Sequence, residues 1–242
     1  ESYMDGWWDA VQLDEFFFKV DSAELDKAVH DKHLLLNAFK ARLFNMQDKD
    51  RSKRVAQGHY DLSNEFYEQM LGPHMQYTCA YWKQARTLAE AQEHKLDLIC
   101  RKLQLKKGER VLELGCGWGG FARFAAANYG CSLVAYNISE QQVAYARRWC
   151  AGLPVEIRLS DYRDASGEFD KVAAIGICEH VGFKNYRTLM EVAHRTVKPH
   201  GLVLVHSIGN NASTMIGDPW FDKYIFPGGM LPSVAQLGAA MD

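Results

Sequence analysis

The stretch Val111-Leu112-Glu113-Leu114-Gly115-Cys116-Gly117-Trp118-Gly119-Gly120 decides the fold. Its apolar first half has the character of a buried strand, and its second half is dense in glycine and leads into a segment with helical spacing. Glycine lets the backbone turn sharply and approach a ligand closely. The stretch therefore predicts a strand, a ligand-binding turn and a helix, in that order.

The position of the acid in this stretch distinguishes between two kinds of ligand. A dinucleotide-binding sequence carries its acid about 20 residues after the glycines, at the end of the second strand. This chain has Tyr136-Asn137-Ile138 at that place and no acid. It carries Glu113 at the end of the first strand instead, where a carboxylate suits a positively charged ligand group.

The spacing E-x-G-x-G-x-G resembles motif I of the Rossmann-like methyltransferases. The resemblance implies that the cofactor is S-adenosylmethionine and that Glu113 binds its amino-acid end, directly or through water. It assigns Gly115, Gly117 and Gly119 to the same cofactor. A glycine turn without a ligand is the alternative.

Strand and helix patterns alternate from about residue 91 onward. Strands are predicted at 110–114, 133–136, 155–159, 169–177 and 202–206, and helices at 91–103, 121–129, 139–150 and 185–197. Such alternation is typical of an α/β fold with a doubly wound, mostly parallel sheet covered by helices on both faces. We expect ligands at the carboxyl ends of the strands.

Composition argues against several other classes of protein. The net charge of −2 over 242 residues gives no strong attraction to nucleic acid. No apolar run reaches the roughly 18–20 residues that span a bilayer, and no signal-peptide pattern is present. The six cysteines form no CxxC pair, so the sequence predicts neither a metal site nor a disulfide framework. We expect a cytoplasmic protein.

The two ends of the chain differ in pattern from its centre. Residues 1–57 are predicted to be the tail of an N-terminal helical domain and a linker, with helix-like segments at 23–29 and 34–44. The charged run at 47–54 is interpreted as a solvated connector or helix end. Residues 58–242 are predicted to form the catalytic domain. The pattern is irregular after residue 207 and stops within a helical segment, so we expect the C-terminal part of this domain to be missing.

Nine segments of the chain together resemble the cyclopropane-fatty-acyl-phospholipid synthases, whose relatives include the mycolic acid cyclopropane synthases. In chain order they are HYDLSNEFYEQML, MQYTCAYW, VLELGCGWGG, DYRD, EHVG, KNY, HSIG, DPW and KYIFPGG. The resemblance implies transfer of a methylene group from S-adenosylmethionine to the cis double bond of an unsaturated phospholipid acyl chain. It also implies peripheral contact with the inner membrane face and a homodimer.

The resemblance implies a second cofactor, bicarbonate, which acts as the general base. An alkene that attacks a sulfonium methyl group leaves a carbocation, which must lose a proton to close the ring. By this resemblance Glu179 accepts the bicarbonate hydroxyl, and His206 donates to the anion together with the backbone near Cys79 and Ile208.

These four residues also have structural interpretations. Glu179 is alternatively an exposed loop carboxylate, and His206 a satisfied histidine at the sheet edge. Cys79 is alternatively a small buried apolar side chain, because the sequence places no base next to its thiol.

The remaining cofactor assignments stay open in the same way. Those implied by the resemblance are Tyr77, Thr78, Asn137, Ile138, Gln142, Asp161 and Tyr162. Gln142 either contacts the ribose or completes a capping box with Ser139. Asp161 either lies at the adenine edge or belongs to a charged loop. The aromatic segment 220–226 is interpreted as a wall of an acyl-chain channel, with a plain surface loop as the alternative.

Two other functions remain open at this stage. The first is a different S-adenosylmethionine-dependent methyltransferase, acting on a fatty acyl chain or on carbon in a small molecule. The second is a non-catalytic module that binds S-adenosylmethionine or docks on a membrane.

Overall fold

The computed structural model describes residues 2–23, 45, 47–49, 63–215, 217, 219–224, 226 and 228–242. The strands in these ranges are β1 (Arg110–Leu114), β2 (Ser132–Asn137), β3 (Val155–Leu159), β4 (Phe169–Ile175) and β5 (Val197–His206). The helices are α1 (Leu13–Ser22), α2 (Asn64–Leu71), α3 (Leu88–Lys102), α4 (Gly120–Tyr129), α5 (Glu140–Trp149), α6 (Cys178–Val181), α7 (Tyr186–Thr196), α8 (Pro219–Tyr224) and α9 (Val234–Met241).

The five described strands form one parallel sheet in the order β3-β2-β1-β4-β5. The chain proceeds from β1 outward to β3 on one side and then crosses to β4 and β5 on the other. Connections that leave β1 and β4 in opposite directions open a crevice at their carboxyl ends. The predicted doubly wound α/β fold is confirmed, and the crevice is where its ligand should lie.

The two faces of the sheet are covered by different helices. Val111 and Ala173 belong to a core with α3, α4 and α5. Leu112 and Leu114 point to the opposite face and pack with α7 and α9. This alternation follows from the two-residue period of a strand, so each strand contributes to both cores. Both faces of β1 are therefore buried, which explains its nearly continuous apolar sequence.

Two strand boundaries differ from the sequence prediction for identifiable reasons. β4 ends at Ile175 rather than 177, because Gly176 has φ +66° and turns the chain towards α6. β5 begins at Val197 rather than 202. Its pairing shifts register between Phe169 and Lys171, and His200 has φ +64°, so the strand's first half lacks a regular pattern.

The described residues cover only part of the segment for which amino-terminal predictions were made. The helix-like segments predicted at 23–29 and 34–44 lie outside the described residues, except for Ala23, which follows the last turn of α1. α1 was not predicted as a helix. The interpretation of 47–54 as solvated is wrong at Gln47, which is 3% exposed. Its backbone oxygen accepts hydrogen bonds from Arg163 and Asn185, so the chain docks on the sheet domain there.

Two kinds of feature are absent from the described residues. No helix among them is long and apolar enough to cross a bilayer. No cluster of three or more histidine, cysteine or acidic side chains in these ranges could hold a metal ion.

Leu96→Ala should lower the free energy of unfolding by about 2–5 kcal/mol, because Leu96 is fully buried between α3 and the sheet and its removal leaves a cavity. Leu88→Ala on the same helix is the matched control, since Leu88 is 45% exposed. That variant should stay within about 0.5 kcal/mol of the parent. Urea unfolding of both variants measures the difference, and equal losses would contradict the core described here.

Candidate active site

The glycine-rich turn lies between β1 and α4, as the sequence predicted. Gly115 has φ +78°, and a Cβ on it would lie 2.9 Å from the Cδ1 atom of Ile177. Gly119 has φ +86° and precedes the first turn of α4. Left-handed conformations of this kind strongly favour glycine. The turn is thus held tightly against the residues that follow β4.

A cavity of about 690 Å³ opens at the carboxyl ends of the strands. This volume is within the range of small-molecule and cofactor sites. The cavity brings together most of the residues assigned to the cofactor: Tyr77, Thr78, Glu113, Gly115, Gly117, Asn137, Ile138, Gln142, Asp161 and Tyr162. Gly119 lies outside this lining, and a Cβ on it would meet Ala146, so it serves the packing of α4 against α5.

Glu113 is the buried acid of the cavity. Its side chain is 3% exposed, and its Oε2 atom has no hydrogen-bond partner in the structure. Burial raises the pKa of Glu113 to about 8, against the opposing effect of the positive charge on Lys95. An unpaired carboxyl oxygen in a cavity wall is suited to a cationic ligand group, which would also favour the ionised form. The amino-acid end of S-adenosylmethionine fits this requirement.

Asn137 and Gln142 form one hydrogen-bonded unit at the end of β2. The Asn137 amide donates to the Gly117 oxygen at 2.9 Å and to the Gln142 Oε1 atom at 2.8 Å. Ser139 caps α5 by accepting from the Gln142 backbone, while the Gln142 side chain bonds Asn137. The capping box is therefore incomplete, because the Gln142 side chain does not bond back to the Ser139 backbone. The ribose contacts stay a prediction, now with the two side chains fixed against the glycine turn.

The residues that follow β3 divide into two roles. Asp161 is 3% exposed and pairs with Arg163, Oδ2 to Nη1, at 2.9 Å. It also accepts from the Arg163 backbone, so its charge is already balanced within the loop. Tyr162 has a buried hydroxyl without a partner, and burial raises its pKa to about 12. Of the two, Tyr162 has the unused polar atom that a ligand could engage.

The segment from Met75 to Cys79 lies across the ends of β1 and β4. A Cβ on Gly120 would be 2.5 Å from the His74 oxygen, and one on Gly176 would be 2.4 Å from the Thr78 Cγ2 atom. No side chain fits in either place, so both glycines permit the approach. The approach places Thr78 and Tyr77 on the cavity wall.

Glu179 and Ile208 meet at the same end of the sheet. Glu179 follows β4 in α6 and is 8% exposed, so it is not an exposed loop carboxylate. Its Oε1 atom accepts from the Ile208 backbone at 2.7 Å, and its Oε2 atom is buried without a partner. Both residues line the cavity. They supply one unused acceptor and one backbone donor side by side.

His206 and Cys79 form a second, separate pair. The His206 Nε2 atom lies 3.6 Å from the Cys79 Sγ atom, and the His206 Nδ1 atom is buried without a partner. Burial and the charges of Lys95 and Lys102 lower the pKa of His206. Cys79 is exposed, which corrects the interpretation of a small buried side chain, and a base does lie next to it.

The two pairs differ in their relation to the cavity. His206 continues the alternation of Leu202 and Leu204 towards the α3 face, whereas α6 packs on the α7 face. The described cavity lining includes Glu179 and Ile208 and leaves out Cys79 and His206. The structure joins the pairs only through the short connection from His206 to Ile208, so their convergence on one anion stays a prediction.

Sequence reasoning missed Lys95. It is 3% exposed and donates hydrogen bonds to the Oε1 atom of Gln76 and the Oγ1 atom of Thr78. Its position was nevertheless visible in the sequence, because Ala91, Lys95 and Ile99 are spaced by four and form a buried stripe of α3. A charged residue on an apolar stripe signals a buried polar partner.

The chain is similar to known proteins in sequence and in structure. A sequence model of the mycolic acid cyclopropane synthetase family matches residues 47–242. The cyclopropane-fatty-acyl-phospholipid synthase of Escherichia coli strain K12 is 49% identical over 243 residues, which cover 100% of this chain and 64% of that protein.

Two solved structures share the fold over most of this chain. The cyclopropane synthase MmaA2 from Mycobacterium tuberculosis has a TM-score of 0.72 and 28% identity, covering 78% of this chain and 73% of that one. The mycolic acid cyclopropane synthase CmaA1, solved in complex with SAH and CTAB, has a TM-score of 0.71 and 30% identity. The match covers 78% of this chain and 72% of the CmaA1 chain.

The sheet order, the glycine turn and these likenesses define the Rossmann-like fold of the class I methyltransferases, as predicted. The chain belongs to the mycolic acid cyclopropane synthetase family. The resemblance found in the sequence is thereby confirmed. The chain spans 64% of the length of its Escherichia coli relative. The family match begins at residue 47, and the domain boundary after residue 57 stays a prediction.

Glu113→Gln should stabilise the ligand-free protein more as the pH rises. Burial raises the pKa of Glu113 from its ordinary 4.5 to about 8. Between these values the folded protein holds a proton that the unfolded chain releases, so wild-type stability falls as the pH rises through this window. The difference in the free energy of unfolding between the variant and wild type should grow from pH 4.5 to about pH 8 and then level off.

Urea unfolding at a series of pH values measures this advantage. Glu168→Gln is the control, because Glu168 is exposed in the loop before β4, and its difference from wild type should not grow with pH. A flat curve for Glu113→Gln as well would show that the acid is solvated rather than buried.

Proposed function

We propose that the cavity binds S-adenosylmethionine, with Glu113 at the amino-acid end of the cofactor. The observation that carries the proposal is the buried, unpartnered oxygen of Glu113 beside the glycine turn at the end of β1. A cationic group there would replace the missing hydrogen bond and offset the burial of the acid. The family and the SAH bound to a solved relative of 30% identity support the same ligand.

We further propose that the acceptor is an unsaturated phospholipid acyl chain at a membrane surface. The part of the cavity away from Glu113 is apolar, with Phe221, Phe226, Met230 and Leu231 in its lining. Phe221 is 52% exposed, so the apolar wall continues to the mouth. A long alkyl chain could enter there without crossing the polar side. The Escherichia coli relative is a cyclopropane-fatty-acyl-phospholipid synthase, which supports this choice of substrate.

The proposed reaction follows from how the site's own residues are arranged. S-adenosylmethionine, when bound, supplies a methyl group activated by a positive sulfur. Glu113 and the glycine turn orient that group, and the apolar wall excludes water from it. The rings of Tyr77 and Phe226, with centroids 6.0 Å apart, present π faces that favour positive charge on the acyl chain. Their contribution is about 0.5–2 kcal/mol each.

We propose that bicarbonate is the base that removes the proton, with Glu179 as its main contact. The buried Oε2 atom of Glu179 is an unused acceptor for the hydroxyl of the anion. The Ile208 backbone is a suitable donor, but it now donates to the Glu179 Oε1 atom. Binding of the anion would therefore exchange that hydrogen bond for two new ones. The Nδ1 atom of His206, two residues before Ile208, is a further buried polar atom without a partner.

Full-length protein incubated with oleoyl phospholipid vesicles and S-adenosylmethionine should add one CH₂ unit to the acyl chain. Mass spectrometry measures the addition, and proton NMR shows ring protons without a new methyl signal. A new methyl signal would indicate a different methyltransferase instead. Cofactor binding without any modified lipid or other acceptor would indicate the non-catalytic module. Saturated phospholipid vesicles are the control and should remain unmodified.

Glu179→Gln should reduce kcat by about 10²–10⁴-fold, since it removes the acceptor that holds the base. The affinity for S-adenosylmethionine should change little, because Glu113 remains. Glu191→Gln, an exposed acid on α7, is the control and should retain activity. Wild-type turnover should also rise with bicarbonate added to degassed buffer. Turnover that does not depend on bicarbonate would exclude this anion as the base. Equal losses of kcat and of affinity for S-adenosylmethionine would show that Glu179 has a different role.

A further inference from the structure

Lys95 is a buried cation with a specific set of partners. Removing an ammonium group from water costs several kcal/mol unless hydrogen bonds and opposite charge replace the water. Lys95 is 3% exposed, and it donates to the Thr78 Oγ1 atom at 2.6 Å and to the Gln76 Oε1 atom. Both acceptors belong to the segment that carries Tyr77 and Thr78 to the cavity.

A neighbouring side chain of α3 holds the same segment. Gln92, three residues before Lys95, donates from Nε2 to the Leu71 oxygen at 3.0 Å and to the Gln76 oxygen at 3.4 Å. Residues three apart lie on one side of a helix. Gln92 and Lys95, on the same side of α3, therefore both attach the Met75–Cys79 segment to this helix. On its other side it rests on Gly176, where a side chain would displace Thr78.

Lys95 also interacts electrostatically with the groups that the proposed reaction requires. Its positive charge opposes the effect of burial on the pKa of Glu113, and it lowers the pKa of His206. Glu113 and Cys79 in turn favour the charged form of Lys95, while burial lowers its pKa to about 8. The ammonium thus lies among the ends of β1 and β5 and the Met75–Cys79 segment. It does not belong to the cavity lining itself.

We propose that Lys95 is a positioning residue for S-adenosylmethionine. It fixes Tyr77 and Thr78 over the glycine turn and provides the counter-charge for Glu113 from behind the cavity wall. The inference rests on the proposed cofactor site and adds a residue that acts through others rather than by contact. Two separable effects follow, one on the geometry of the segment and one on the charge state of Glu113.

The test measures S-adenosylmethionine binding by calorimetry over a pH series around 8, where burial places the pKa of Glu113. Lys95→Met keeps the length of the side chain but removes its hydrogen bonds and charge. Affinity should fall about tenfold or more, as expected for lost hydrogen bonds to a charged group. The pH at which binding strengthens should also move upward, because Glu113 would ionise less readily without its counter-charge.

Other ionisable groups also interact with Glu113, and they must be the same in wild type and in each variant whose binding is compared. They are Cys100 on α3, Cys116 in the glycine turn and Cys150 after α5. All of them are present in every variant used. Lys95→Arg restores a charge and should return the pH dependence towards that of wild type. Thr78→Val removes one acceptor only, so it should weaken binding without moving the pH dependence. Lys106→Met, at an exposed position after α3, should match wild type.

The outcomes separate this inference from the function on which it rests. If wild-type protein fails to bind S-adenosylmethionine, the cofactor proposal fails, and the inference with it. If wild type binds but folded Lys95→Met has the same affinity and pH dependence, the role of Lys95 is overturned and the cofactor site stands. If Lys95→Met does not fold, Thr78→Val decides, and unchanged affinity in that variant overturns the role.

Discussion

The burial of an acid at the end of the central strand is the constraint on which the rest of this site depends. Glu113 lies beneath the glycine turn, where burial alone would keep it protonated. The charge of Lys95 on α3 opposes that effect, and Lys95 in turn requires the acceptors of Gln76 and Thr78. The segment before β1 is thus attached to the first long helix by the hydrogen bonds of Lys95, whose buried charge also acts on the acid at the end of the central strand.

Much of the fold could be predicted because local signals agreed with the tertiary structure. β1 and β3 have the predicted bounds, since the mostly apolar run of β1 and the alternation of apolar and charged residues in β3 both stop at turn residues. Where local and tertiary signals diverged, the prediction failed. The start of β5 passes through Pro199 and through His200 with its positive φ, neither of which predicts a strand, yet Val197 and Leu202 on either side pair with β4.

The candidate site was predictable in its composition but not in its arrangement. Glu113 and the glycines followed from a local spacing, and Glu113, Gly115 and Gly117 line one cavity. The pairing of Glu179 with Ile208, and of His206 with Cys79, depends on how segments that are distant in the chain meet at the end of the sheet. No spacing in the sequence encodes such contacts. Gln47 was missed for the same reason, because its burial arises from partners that are distant in the chain, whereas the spacing of Lys95 on a buried stripe of α3 was a local signal that went unused.

The docking of Gln47 makes the cavity responsive to the amino-terminal side of the chain. Its buried side chain forms part of the cavity wall, and its carbonyl accepts hydrogen bonds from Arg163 after β3 and from Asn185 just before α7. A ligand that requires this wall must also favour the docked state of Gln47. By reciprocity, losing this docking would weaken the binding of such a ligand by the same coupling free energy that the ligand adds to the docking.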